Sequence, residues 1–403
     1  MNRPVIWASL LCAGLATQAK ADVITDWNAR CANLLGQAKI GTPPSVRVMA
    51  YVQTAAFEAA NAVSQRYPGA MQSRDAKGAS IEAAVAAAHR AALLKMLPAQ
   101  QTAIESAYQV ALSSVPDGAG KAAGIAVGEQ AAARLFAQRA EDAIAPESYR
   151  PQTAPGTYVP TATPAVTQWP QRKPWLMKTV SDFRPAGPPA LNSATWVRDY
   201  NEVKAIGARN STQRTAEQTA IGKFWDYSLP AIYFGAMRSV AEQPGRDVTR
   251  NALLYAMAAQ AMDDALIAVF DAKYQYNFWR PVTAIRNGDI DGNDATERDP
   301  SWAPLIDTPM HPEYPSAHGI LAASVGAVLK VDLGNGPVPV LTTVSPTANG
   351  SARSWNSIDD FVQEVGLARV YAGIHYRTSV EVGADMGRRI GELAATRFKV
   401  LTQ

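Results

Sequence analysis

Cysteine is nearly missing from this 403-residue chain: there are two, Cys12 and Cys31. Cys12 lies in an N-terminal stretch that reads as removable, so Cys31 is left without a partner in the chain, and stability must come from packing rather than from disulfides. Histidine is also scarce. There are four, His89, His311, His318 and His375, and three of them fall in the last quarter. Charged residues make up only 18% of the chain, and there is neither a low-complexity tract nor an internal repeat. Apolar residues reach 47% with Ala abundant, which excludes a disordered chain and favours an ordered, mainly helical one.

The first 21 residues, "MNRPVIWASLLCAGLATQAKA", combine one early positive charge, an apolar run from Val5 to Ala16 and small residues at Ala19 and Ala21. That is the layout of an export signal cleaved after Ala21, with an apolar run too short to cross a bilayer. A periplasmic or secreted location is the expectation. Loss of Arg3 and Lys20 takes the 38 basic residues to 36 against 35 acidic ones. A near-neutral chain has no electrostatic footprint for nucleic acid or an anionic membrane surface.

Four segments are expected: the signal (1–21), an N-terminal helical bundle (22–145), a connection (146–190) and a C-terminal helical bundle (191–403). Stretches such as "VRVMAYVQTAAFEAANAV" carry apolar residues at helical spacing. The connection, "PQTAPGTYVPTATPAVTQWPQRKPW", is too rich in proline to be helical, and its Tyr158, Trp169 and Trp175 predict that it packs against the body. The loop "NGDIDGNDATERDPSWAP" resembles a calcium hand only superficially, because no glutamate closes a twelve-residue loop from Asp289, and it reads as turns. A short extended excursion is expected near Val338 to Val344, then two final helices over Ile358–Val370 and Ser379–Leu401.

Three stretches carry chemistry. In "KYQYNFWRPVTAIR", Lys273 and Arg280 are expected on one helix, about 20° apart around its axis and two turns apart along it. Paired charges usually form a solvated stripe. Here Tyr274, Tyr276, Phe278 and Trp279 surround them, which predicts burial, where two cations need a compensating anion. In "EYPSAHG", Ser316 and His318 stand at a helix start, either an anion cradle or an N-cap with an incidental histidine. In "LARVYAGIHYRTS", Arg369 and His375 converge only if the helix ends between them, which Gly373 allows; the plainer reading is a surface arginine and a core histidine. Together these residues make a site for a tetrahedral or trigonal-bipyramidal oxyanion, suited to phosphoryl transfer or to oxyanion-metal chemistry.

In that order and spacing, "KYQYNFWRP", "PSAH" and "ARVYAGIH" resemble the three-part signature of vanadium-dependent haloperoxidases and of the related phosphatidic-acid-phosphatase superfamily. The resemblance implies an all-α fold of two helical-bundle halves with the site in the C-terminal one. It also implies vanadate as cofactor, or phosphate in the same place. Lys273, Arg280 and Arg369 would neutralise the oxyanion, with Ser316 and the N–H of Ala317 as further donors. His375 would be the metal ligand or a phosphorylated nucleophile, and His318 the acid–base residue. The partners implied are hydrogen peroxide, halide and a small organic acceptor. His311, seven residues before His318, stands where the bromide-oxidising type has histidine, which points to bromide or iodide rather than chloride. The family commonly has glycine where this chain has Ala317, and aspartate where it has Ser379. His375 therefore needs another group to orient it: the Ser379 hydroxyl, a backbone carbonyl or a carboxylate from elsewhere. The alternatives are an acid phosphatase working through a phosphohistidine and a non-catalytic oxyanion-binding protein.

Overall fold

The structure, a computed structural model, describes residues 22–142 and 145–399, so the expected export signal lies outside the described residues. The N-terminal half contains α1 (Val23–Ala38), α2 (Thr42–Ser64), α3 (Ile81–Met96), α4 (Gln101–Ser113) and α5 (Ala119–Gln138). Asp22 caps α1 by accepting from Thr25 N, and Ser80 caps α3 by accepting from Ala83 N. The apolar face of α2 is so broad that between Pro43 and Ala62 only Pro44 and Glu58 escape full burial. A helix covered on nearly all sides belongs at a core, not at a surface.

After the connection come α6 (Ala194–Ile206), α7 (Ala216–Phe224), α8 (Ala231–Ala241) and α9 (Val248–Tyr276). α9 has the length and hydropathy of a membrane span, yet its apolar stretch is wholly buried inside the protein. It lies against α2 on one side and against α11 (Ala317–Leu333) and α13 (Arg377–Lys399) on the other. One buried core therefore runs through both halves, from Ile24 to Phe398. The seam between α11 and α13 is tight because Gly383, Gly387 and Gly391 face it: a Cβ at Gly387 would meet Ile320 O at 2.1 Å. Small residues at a spacing of four let the two helix backbones touch.

The proline-rich connection packs as expected, with Tyr158 and Trp169 buried. Its anchor is electrostatic as well as apolar. Asp264 of α9 accepts the backbone N–H groups of Trp175, Leu176 and Met177 at 2.7–2.9 Å, and Asp263 accepts Trp175 Nε1 at 2.7 Å and Arg47 at 2.6 Å. The turn-rich loop is also as read: Asp291 is engaged by Trp196 Nε1 and the Thr296 hydroxyl, which leaves its carboxylate committed.

Two expectations need correction. Lys273 and Arg280 do not lie on one helix, because the long helix α9 ends before Arg280. It stops at Tyr276, where Asn277 adopts a left-handed conformation (φ 48°), and the chain runs extended until Arg280 precedes α10 (Pro281–Arg286). Proline at the first position of α10 forbids an intrahelical bond there, which makes it a start rather than a continuation. The extended excursion is in fact a hairpin, β1 (Leu341–Ser345) paired antiparallel with β2 (Ser351–Trp355). The second strand, "SARSW", has no apolar alternation to reveal it. The two remaining helices, α12 (Ile358–Tyr371) and α13, fall where expected.

Candidate active site

Lys273 and Arg280 do meet, although not by helical periodicity. Lys273 is on the last turn of α9 and Arg280 just before α10; the break at Asn277 folds the second back towards the first. Both side chains are buried. Lys273 Nζ donates to the carbonyls of Pro312 (2.9 Å) and Glu313 (2.8 Å), fixing the loop that leads to His318. Arg280 ties the same loop to the end of α12: Nε donates to His311 O at 2.9 Å and Nη1 to Ile374 O at 2.8 Å.

The third cation, Arg369, reaches the site because α12 ends between it and His375. Gly373 takes φ 76°, and a Cβ there would lie 2.3 Å from Gly207 O, so the turn requires glycine both for conformation and for space. Arg369 is buried, with Nη1 donating to Trp225 O and Nε left without any partner. Asp226, next in the chain to Trp225, lies close enough to attract Arg369.

Ser316 and Ala317 sit at the start of α11. The Ser316 side chain is the cap, accepting from Gly319 N at a long 3.5 Å, and the first-turn N–H groups of Ala317 and His318 have no carbonyl one turn earlier to bond. His318 is partly exposed along one edge, while its Nε2 is enclosed and has no partner. A cavity of about 320 Å³ opens here, lined by His311, Ala317, His318, Arg369, His375 and Phe270 among others. Lys273, Arg280 and Ser316 stand behind this wall rather than in it.

His375 is the best-defined group. Its Nε2 lies 3.2 Å from Arg280 Nη1, and its Nδ1 lies 2.7 Å from Glu313 Oε1. Arginine only donates, so Nε2 must accept and Nδ1 must carry the proton. His375 is thus held with a basic lone pair on Nε2. His311 Nδ1 lies 3.0 Å from Arg280 Nη2 and 3.2 Å from Pro312 O; because the nearer arginine can only donate, Nδ1 is assigned as its acceptor, with the proton on Nε2. Of the three groups the sequence left open, it is a carboxylate from elsewhere that lies against Nδ1. Ser379 Oγ stands farther off, at 3.5 Å from Nδ1. Glu313 lies within "HPEYPSAHG", two residues before Pro315, and nothing in that local sequence marks it as the partner of His375.

The electrostatics are one-sided. Burial pushes Lys273 well below its usual range, with Arg280 adding to the effect, and brings Arg280 and Arg369 down to about 10. His311, His318 and His375 are each held neutral, first by burial and then by the neighbouring cations. Burial raises Glu313 to about 7 against the pull of Lys273 and Arg280. Three enclosed cations face one enclosed carboxylate, an arrangement that a bound oxyanion would balance. The unpartnered Arg369 Nε is an open donor position for such an anion, and the enclosed His318 Nε2 is unpartnered beside it, so the residues present fit vanadate or phosphate.

Residues 253–403 match the family model described as the VCPO second helical-bundle domain. The vanadium chloroperoxidase of Curvularia inaequalis is 30% identical over 181 residues, which cover 36% of this chain and 29% of the length of that relative. Among solved structures, a bacterial vanadium-dependent iodoperoxidase superposes with a TM-score of 0.78 at 24% identity, covering 93% of this chain and 95% of the other. A holo-type bacterial vanadium-dependent chloroperoxidase superposes at 0.71 and 16% identity, over 96% of each chain.

Proposed function

Because residues 253–403 belong to the VCPO second helical-bundle family and the chain as a whole has the fold of the bacterial vanadium-dependent haloperoxidases, we propose that it is a vanadate-dependent haloperoxidase. It would oxidise bromide or iodide with hydrogen peroxide and deliver the oxidised halogen to a small organic acceptor. One observation carries the reading: Arg369, with an unpartnered Nε, lines a cavity together with His375, whose Nε2 is unprotonated, and Lys273 and Arg280 lie buried behind its wall.

Lys273, Arg280 and Arg369 would hold the charge of the oxyanion, with the N–H of Ala317 and the Ser316 cap at the start of α11 as neutral donors. His375 would ligate the central atom through Nε2. When bound, vanadate supplies the Lewis acidity that makes hydrogen peroxide a two-electron oxidant of halide, without changing its own oxidation state. His318, kept neutral by burial and by Arg369, is ready to accept at Nε2 the proton that peroxide gives up. The apolar side of the cavity, Phe270 and Leu266, limits competing water. His311 presents its Nε2 proton as a donor and stands where the family resemblance puts halide choice.

The test is halogenation of an indicator phenol by purified protein with orthovanadate, hydrogen peroxide and iodide or bromide, run beside hydrolysis of an aryl phosphate by vanadate-free protein. Halogenation that depends on vanadate supports the reading. Phosphate ester hydrolysis alone, abolished by His375→Ala, would replace it with the phosphatase, in which the same Nε2 attacks phosphorus. We also assign residues 1–21 to an export signal. Asp22 capping α1 supports a mature chain beginning there, and N-terminal sequencing of the exported protein tests it.

A further inference from the structure

We propose that Glu313 is the positioning residue of the oxyanion site, doing for His375 what a side chain at position 379 does not do in this chain. The proposal rests on the reading of His375 as the oxyanion's ligand and deepens it.

Glu313 is fully buried, and its Oε1 is the only acceptor within 3 Å of His375 Nδ1 among the described residues, at 2.7 Å. The same oxygen accepts Tyr376 N at 3.0 Å, so it is held against two consecutive residues of the turn after α12. Its main chain is fixed independently. Glu313 N donates to Phe278 O at 2.9 Å, and Glu313 O accepts from Lys273 Nζ at 2.8 Å. The carboxylate is thus clamped from the α9–α10 junction and presented to the histidine of a distant helix end.

An imidazole with Nδ1 unpartnered can move its proton to Nε2 or rotate about χ2. Either motion removes the lone pair that the oxyanion's central atom requires. Arg280 Nη1 at Nε2 opposes the first, and Glu313 Oε1 completes the restraint by taking the Nδ1 proton and holding the ring plane with it. Ser379 Oγ approaches Nδ1 from the next turn at 3.5 Å, too far and too weak an acceptor to do this alone. It does mark where a longer acid would reach. A carboxylate at position 379 could take over Nδ1 if Glu313 were gone.

The experiment measures binding of orthovanadate and of orthophosphate by calorimetry, together with ¹⁵N shifts of the His375 ring, for five forms of the full chain: wild type, Glu313→Gln, Glu313→Ala, Glu313→Ala with Ser379→Asp, and His375→Ala. Wild type should bind and should show a protonated Nδ1 and an unprotonated Nε2. Glu313→Ala should bind roughly 10- to 100-fold more weakly and give ring shifts displaced from wild type, because Nδ1–H loses its acceptor and the ring its restraint. Glu313→Gln, which keeps shape and an acceptor oxygen, should lie between the two. Adding Ser379→Asp should restore most of the affinity and the wild-type ring shifts, a rescue that a merely structural loss would not allow. Unchanged affinity and shifts in both Glu313 variants would overturn the proposal, as would failure of Ser379→Asp to restore either one. If wild type binds neither anion, or His375→Ala binds as well as wild type, the reading of the site falls instead.

Discussion

Replacing Arg369 with methionine should leave the ligand-free protein about as stable as before and yet take away most of the stability that an oxyanion adds. Arg369 is enclosed, is pulled below its normal range by burial, and spends one N–H on Trp225 O while Nε has no partner. Methionine loses that bond, which costs about 1–3 kcal/mol for a carbonyl left unpaired. It also removes a buried charge whose desolvation penalty, several kcal/mol by itself, is offset only in part by the exposed Asp226. The two terms oppose each other, so the ligand-free change is expected to be within about 1 kcal/mol of zero. With ligand the sum changes. At vanadate about 100-fold above Kd, wild type gains about 2.7 kcal/mol from binding. A lost charge-assisted contact of about 1.5–3 kcal/mol weakens binding roughly 10- to 150-fold. At the same vanadate concentration the gain then falls to about 0.3–1.4 kcal/mol. Thermal unfolding at constant ionic strength, with and without orthovanadate, reads both numbers. A variant that loses several kcal/mol without ligand, or that keeps the full vanadate increment, would show that Arg369 is a structural arginine and not part of an anion shell.

Gly373→Ala should be strongly destabilising and should also lower anion affinity, since a left-handed backbone and a 2.3 Å approach to Gly207 O leave no room for a Cβ; melting temperature and vanadate binding both check this. His89, buried on α3 against Trp27 and held down to about 4 from 6.5, gives an acid-sensitivity test. The unfolded chain takes up this proton first, so the stability His89 allows is complete above pH 6.5 and is lost as pH falls towards 4. The full loss is about 3 kcal/mol, and His89→Met should flatten that part of the melting temperature against pH. Asp264→Ala should release the connection, because three backbone N–H groups lose their acceptor at about 1–3 kcal/mol each. Limited proteolysis should then cut between residues 146 and 190, where wild type resists.

Local chemistry decides a large part of this protein, and the sequence carries it by itself. Apolar spacing and abundant alanine dictate helices, prolines dictate an interrupted connection, and Ser316 and Gly373 dictate a helix start and a helix end. Those features are governed by neighbours in the chain, so they can be read from it. Lys273, Arg280, His318, Arg369 and His375 could be gathered into one site because their types are costly to bury apart from a common anion.

Other features depend on what approaches from far away in the chain. Helical periodicity predicted the convergence of Lys273 and Arg280 for the wrong reason, and the actual cause is the turn at Asn277 closed by contacts with the 311–314 loop. Glu313 as the partner of His375 joins positions 62 residues apart, and no local pattern marks it. The hairpin strand "SARSW" exists because β1, itself packed on α8, and α12 offer it a surface, as α9 becomes a core rather than a membrane helix because bundles cover it on both sides. Sequence determined which groups this protein owns. Only the tertiary structure decided which of them share a cavity, which stand behind its wall, and which carboxylate fixes the proton of His375, because those are relations of distance and desolvation that exist only once the chain is packed.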